Sequence, residues 1–222
     1  MEKEKIIFSW SSGKDSSLCL YEVMKSGKYE VVSLLTTISE DYDRISMHGV
    51  PRVLLERQAE SIGLPLNKIF ISPCPDNSEY EAKMEEFLLS YKEKGVETVA
   101  FGDIFLDSLR KYREEKLAVV DMKALFPLWK RNTVDITRKF IDLGFKTITT
   151  CVDSNLLDKS FVGRIIDDNF LGELPENVDP CGENGEYHSF AFDGPIFRES
   201  IGFKTGEIVL RDGFYYCDLI PE

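Results

Sequence analysis

The chain has 222 residues, 43% of them hydrophobic and 30% charged, which is ordinary for a globular protein and enough for one large domain or a main domain with a smaller appendage. A formal net charge of −12 argues against a general nucleic-acid binder, whose affinity rests on basic surface, without excluding one local nucleotide site. The apolar run after Lys3 and Lys5 is too short for a signal peptide and no segment approaches membrane-spanning length, while five cysteines without CxxC spacing fit reduced thiols of a cytoplasmic protein better than disulfides or a zinc site.

The elements then follow in order. Ile6 to Trp10 predicts a strand that runs into Ser11-Ser12-Gly13-Lys14-Asp15-Ser16 and opens a helix with Leu18, Tyr21 and Met24 on one stripe, ending near Gly27. Tyr29 to Thr37 reads as a second strand, Pro51 to Ile62 as a helix stopped by Gly63, and Lys68 to Ser72 as a third strand. Glu79 to Lys94 is a helix closed by Gly95, and Thr98 to Phe101 a fourth strand ending at Gly102-Asp103. This β-α-β-α-β-α-β order predicts an α/β fold with a doubly wound parallel sheet and right-handed crossovers. Past residue 125 the texture changes: a helix over Thr133–Leu143, a strand over Phe145–Val152, a helical piece over Phe161–Phe170, a loop over Val178–Phe190, and a strand pair around Asp212-Gly213. With no low-complexity linker between them, residues 1–125 and 126–222 are expected to form a main domain and a smaller α+β domain packed against it.

The turn at 11–16 carries the chemistry. Backbone N–H groups at a helix N-terminus lack intrahelical partners, and the helix dipole is positive there, so a strand-turn-helix of this kind makes an anion site. Ser11, Ser12 and Ser16 add hydroxyls, Gly13 permits close backbone approach, and Lys14 adds a mobile cation. Asp15 would repel a phosphate unless a metal lay between them, so the turn reads as a nucleotide phosphate site with Mg²⁺. A plain Ser/Gly turn capping a helix is the simpler alternative. The spacing is too tight for a Walker A loop. In a doubly wound sheet, ligands lie beyond the carboxyl ends of the strands where strand order reverses, which would bring together the 11–16 loop, Leu35-Thr36-Thr37 and Gly102-Asp103.

The turn resembles the pyrophosphate loop of the N-type ATP pyrophosphatases, Ser-Gly-Gly-x-Asp-Ser, which cleave ATP between the α and β phosphates. Ser12 stands where that family usually has glycine, and is strained if the position needs positive φ. Further along, Met47-His48-Gly49-Val50, Leu109-Arg110-Lys111-Tyr112-Arg113, Pro127-Leu128-Trp129 and Gly182-Glu183-Asn184-Gly185-Glu186-Tyr187 occur in the order seen in the diphthine–ammonia ligase family. In the last segment Asn184 replaces a family glycine, and the Met-His-Gly-Val segment also differs from the family's typical loop.

That resemblance implies an ATP-dependent amide ligase that adenylates the carboxylate of diphthine on elongation factor 2 and aminates it with ammonia, releasing AMP and pyrophosphate. It further implies that ATP is bound by Ser9, Ser11, Ser12, Gly13, Lys14, Asp15, Ser16, Gly102 and Asp103, with adenine near Leu35 and Thr36. Asp15 would hold Mg²⁺, and Lys14, Asp15, Glu183 and Glu186 would be catalytic, the two glutamates positioning ammonia or taking its proton. His48, Gly185 and Glu186 would face the acceptor, and His188 could orient Glu186. Simpler readings stand beside these: strand propensity for Thr36, a solvated acidic loop for the glutamates, solvated or structural histidines, and a solvated helix face for Arg110, Lys111 and Arg113. Other functions within reach are a related pyrophosphatase acting on a small molecule or tRNA, and a non-catalytic ATP sensor. A homo-oligomer is compatible with the aromatic content.

Overall fold

The computed structural model describes residues 2–45, 49–72 and 77–222. Its first half runs β1 (Glu4–Ser9), α1 (Lys14–Ser26), β2 (Tyr29–Ser39), β3 (Arg44–Ile45), α2 (Arg52–Ile62), β4 (Leu66–Ile71), α3 (Asn77–Lys92), β5 (Thr98–Ala100), α4 (Asp107–Val119) and β6 (Lys123–Leu125), which keeps the predicted alternation and adds the short strands β3 and β6. Helices α1 and α2 stop where Gly27 and Gly63 take left-handed backbone, with φ of 67° and 81°. Strands β4, β2, β1, β5 and β6 lie side by side and parallel, and the two-residue β3 returns antiparallel along the end of β2. Chain order runs outward from β1 through β2 to β4, then from β5 to β6 on the other side. The reversal therefore falls between β1 and β5, where a doubly wound sheet opens its crevice.

The remainder is helix α5 (Thr133–Asp142) and an antiparallel sheet in the order β8 (Tyr187–Asp193), β7 (Lys146–Asp153), β10 (Phe214–Pro221) and β9 (Phe203–Arg211). The hairpin is tight, with Asp212 and Gly213 at φ of 49° and 83°. Two expectations are corrected here. The helical piece over 161–170 is a 3-10 turn at Lys159–Phe161 and a short helix, α6 (Asp168–Glu173), because Gly163 at φ 76° sends the chain out to bridge Ile165 to Ile148. The loop over 178–190 ends early, since its last four residues begin β8.

Alternation along β1 sorts the core. Ile6, Phe8 and Trp10 pack with Leu18 and Leu20 of α1, Leu54 of α2, and Ile148, Val152 and Phe190 of the antiparallel sheet, in one continuous cluster. Ile7 points the other way, into a second cluster with Leu35, Ile69, Val99, Leu88 and Leu117 beneath α3 and α4. The antiparallel sheet thus joins the core on the side of the parallel sheet where α1 and α2 lie, with β8 against α1.

Polar contacts join the loop after β1 to that sheet. Ala191 N donates to Ser12 O at 2.9 Å, and Gln58 of α2, fully buried, donates to the carbonyls of both Ser12 and Ala191 while accepting from Trp10 Nε1. Ser12 itself has φ of 69°, so the loop keeps the glycine-type backbone and the serine bears the strain. Its Oγ is buried and has no hydrogen-bond partner among the described residues.

Gln58→Leu leaves an indole N–H and a strand carbonyl unpaired inside the protein, and should lower unfolding free energy by about 3 kcal/mol in urea titrations. Ser12→Gly removes both the strained φ and the unpartnered hydroxyl, and should raise stability by about 1 kcal/mol, read as about a 3 °C rise in Tm.

Candidate active site

Two adjoining cavities open at the reversal of strand order. One, of about 410 Å³, has the more apolar side chains of the two and lies between the ends of β1, β2 and β5 and the helices α3 and α4, lined among others by Leu35, Thr36, Tyr80 and Met84. The other, of about 260 Å³, lies at the N-terminus of α1 and is lined by Gly13, Lys14, Asp15, Ser16, Gly102, Asp103, Glu183, Gly185, His188 and Ser189 among others. Ser9, Ser11, Phe101 and Arg113 line both. The alternation that turns Ile7 toward α3 and α4 turns Ser9 the same way, into the crevice. Expected neighbours thus meet: the 11–16 loop, the end of β2, and Gly102-Asp103. Ser12 lines neither cavity, and His48 lies outside the described residues.

Gly13 caps α1 without a side chain of its own, leaving the first turn to other donors and acceptors. Lys14 N donates to Ser189 Oγ at 3.2 Å, and the Ser11 and Ser16 hydroxyls lie 3.0 Å apart. Gly102 is required by proximity, because a Cβ there would sit 3.2 Å from Ser16 N and 3.3 Å from Ser16 Cα. Only a residue without a side chain lets the end of β5 close onto the first turn of α1.

Lys14 departs from expectation. It is not a mobile cation: its side chain is 1% exposed, and Nζ donates to both Asp15 oxygens at 2.7 and 2.8 Å and to Cys181 O at 2.7 Å, above the Tyr187 ring. Burial alone would lower its pKa, but Asp15 outweighs that and holds the ammonium charged well above its ordinary range. Asp15 keeps 24% of its side chain exposed and faces the polar cavity.

The loop before β8 folds around two carboxylates. Asp179 accepts from the amides of Cys181 and Glu183 at 3.0 and 3.1 Å, an Asx-type turn that sequence reading overlooked although Asp-Pro signals it. Glu186 is 2% exposed and lines neither cavity: its oxygens accept from Asp179 N, Asn184 N and Asn184 Nδ2 at 2.8 to 3.0 Å. Glu186 therefore shapes the loop, and Asn184 supplies two of its three donors, the side-chain one available only because asparagine stands in place of a family glycine. Its neighbour Glu183 does enter the polar cavity, with Oε1 accepting from Ile104 N at 2.7 Å and Phe105 N at 3.3 Å. Burial, reinforced by Asp15 and Asp103, pushes Glu183 up to about 7 against the pull of those amides. His188 is pushed down to about 4 by burial and by Lys14, so its ring is neutral at physiological pH.

The simplest expectation for Arg110, Lys111 and Arg113 is a solvated helix face, and Lys111, exposed near Glu115, fits it, whereas Arg110 pairs with Glu114 and lies over the Phe126 and Trp129 rings. Arg113 is different. Its Nε sits 2.6 Å from Asp103 Oδ2, off the hydrogen-bonding axis, while Nη2 donates to Oδ1 at 3.1 Å and the guanidinium lies 4.3 Å from the Phe101 ring centroid. The signal was available, because Leu109, Arg113 and Leu117 recur every four residues and share one side of α4. No such signal marks Ser189, which reaches the site only through folding.

Chemically, a helix N-terminus with hydroxyls beside an apolar pocket suits an anionic ligand bearing a planar base. Among the described residues, no three His, Cys, Asp or Glu side chains form a ready-made metal cage. Mg²⁺ bound with a nucleotide needs only one or two carboxylates besides phosphate and water, and although Lys14 and Arg113 offset the charges of Asp15 and Asp103, Asp15 keeps 24% of its side chain exposed and lines the polar cavity, where it would meet such an ion. The donor set fits.

The chain is similar to known proteins along most of its length. A model of the diphthamide synthase N-terminal domain matches residues 4–123, and one of the diphthamide synthase C-terminal domain matches residues 132–219. A Homo sapiens protein named diphthine–ammonia ligase is 26% identical, covering 90% of this chain and 83% of its own length. The Bos taurus protein of that name is 27% identical over 90% and 82%, and a Schizosaccharomyces pombe one is 25% identical over 97% of this chain but 38% of its own length. With both diphthamide synthase domain models matched in order along its length, the chain belongs to the diphthamide synthase family.

Proposed function

We propose that the chain is an ATP-dependent amide ligase that adenylates the carboxylate of diphthine on elongation factor 2 and replaces AMP with ammonia. The observation that carries this reading is the pairing of cavities at one strand reversal, with Glu183 from the second half of the chain fastened beside the α1 N-terminus by the Ile104 and Phe105 amides. In this reading residues 1–125 bind ATP and residues 126–222 present the acceptor side of the site.

Adenine would occupy the apolar cavity near Leu35 and Thr36, and the pyrophosphate the polar one. The acceptor carboxylate attacks the α-phosphorus, and pyrophosphate departs toward the α1 amides and the Ser11 and Ser16 hydroxyls, which stabilise the charge it gains. Lys14, locked in place, keeps the loop in that shape rather than following the leaving group. Mg²⁺ held by Asp15 would neutralise charge on the polyphosphate. Ammonia then attacks the acyl carbon, AMP leaves with the electron pair of the C–O bond, and a proton is lost from nitrogen. Glu183 is the group to take it, because its affinity for a proton lies near physiological pH and it shares the cavity with the reacting centre.

Incubation with ATP, Mg²⁺, ammonium and diphthine-bearing elongation factor 2 should release AMP only when acceptor and ammonium are both present, while acceptor without ammonium should stop at the acyl adenylate after one pyrophosphate per acceptor. ATP bound but left intact under these conditions would overturn the ligase reading in favour of a sensor, and turnover with tRNA instead would redirect it. Asp15→Ala should reduce kcat/KM by about 10²-fold or more. A second consequence concerns pH and stability. Because folding raises Glu183 from 4.5 to about 7, the stability it contributes is complete below the ordinary carboxyl range and is lost as pH rises through about 7. Relative to Glu183→Gln, the unaltered protein should therefore lose up to about 3 kcal/mol between about pH 4 and pH 8, measured by denaturant titration at each pH.

A further inference from the structure

Resting on the nucleotide reading above, we propose that Arg113 binds the α-phosphate, the phosphate that stays on AMP and on the acyl adenylate. A nucleotide with its base in the apolar cavity and its pyrophosphate at the α1 N-terminus must cross the strip the cavities share, and the group joining ribose to pyrophosphate is the α-phosphate. That strip consists, among the described residues, of Ser9, Ser11, Phe101 and Arg113, so Arg113 is the only cation they supply. The other cations nearby are committed elsewhere. Lys14 is buried against Asp15 and the Cys181 carbonyl, and Lys116, which lines the apolar cavity alone, pairs with Glu81 at 2.7 Å.

The guanidinium is also prepared for the task. Phe101 on one side and Asp103 on the other fix its plane, while the contacts to Asp103 use only Nε and Nη2. Its remaining N–H groups have no partner among the described residues, and a guanidinium presents its donors as a rigid fork matched to phosphate oxygens. Asp103 thereby becomes a positioning residue acting through Arg113, rather than a direct ligand of the nucleotide. The same contact serves both half-reactions. It offsets charge on the phosphorus centre during adenylation, and it holds AMP as the C–O bond breaks and AMP takes up the electron pair.

Titration calorimetry with adenosine and with AMP, without metal, separates the phosphate contact from the base contact. For Arg113→Gln, AMP affinity should fall by about 10- to 100-fold while adenosine affinity stays within about twofold, adenosine serving as the check on folding. Arg113→Lys keeps the charge without the fork, and should show a smaller loss confined to AMP, which carries the test if the Gln variant fails to fold. Equal loss of adenosine and AMP would make Arg113 merely structural, and unchanged AMP affinity would place the α-phosphate elsewhere; either result overturns the assignment alone. An unaltered protein that binds neither ligand would overturn the nucleotide reading and the assignment with it.

Discussion

The buried ammonium of Lys14 is the constraint on which the site depends. A charge this far from water survives only with partners on several sides, and they come from different parts of the chain: Asp15 on its own helix, the Cys181 carbonyl from the loop before β8, and the Tyr187 ring. Satisfying one cation thus fixes the first turn of α1 against the second half of the molecule. The Lys14 amide on Ser189, and Ala191 on the Ser12 carbonyl, run along the same seam. A Ser/Gly turn that would otherwise be an exposed loop becomes part of a packed interface.

That seam explains why carboxylates three residues apart have unlike surroundings. Glu186 spends its oxygens on the amides of its own loop and keeps the turn closed. Glu183 is fastened across the crevice, close to Asp15 and Asp103, where burial and like charge favour its neutral form. A rigid loop thus delivers one carboxyl to the cavity with a proton affinity suited to exchange near neutrality.

Much of this was legible in the sequence where periodicity or a backbone requirement speaks locally. The strand-turn-helix at 6–26, the glycine-stopped helices, the Asp212-Gly213 hairpin and the parallel sheet follow from spacing and from glycine at left-handed positions. What did not show was set by tertiary context. Strand β6, at three residues, is too short for any period to register, and β8 looked like loop because its approach is rich in Gly, Asn and Pro. Lys14 reads as a solvent-facing cation until the distant Cys181 carbonyl is seen beside it, and Ser189 has no local signature. Arg113 lay hidden in a run of charges, although its four-residue spacing with Leu109 and Leu117 marked it as inward-facing.

The parity of β1 has a wider consequence for how this chain can change over time. Ile6, Phe8 and Trp10 belong to the core shared with the antiparallel sheet, whereas Ile7 and Ser9 face the side of α3, α4 and the crevice. Side chains within either set can be exchanged for others of similar size with local effects. A single-residue insertion or deletion before Ser9 would instead swap the two faces at once, sending hydroxyls into the shared core and an indole into the crevice. The strand therefore tolerates drift in composition but not in length.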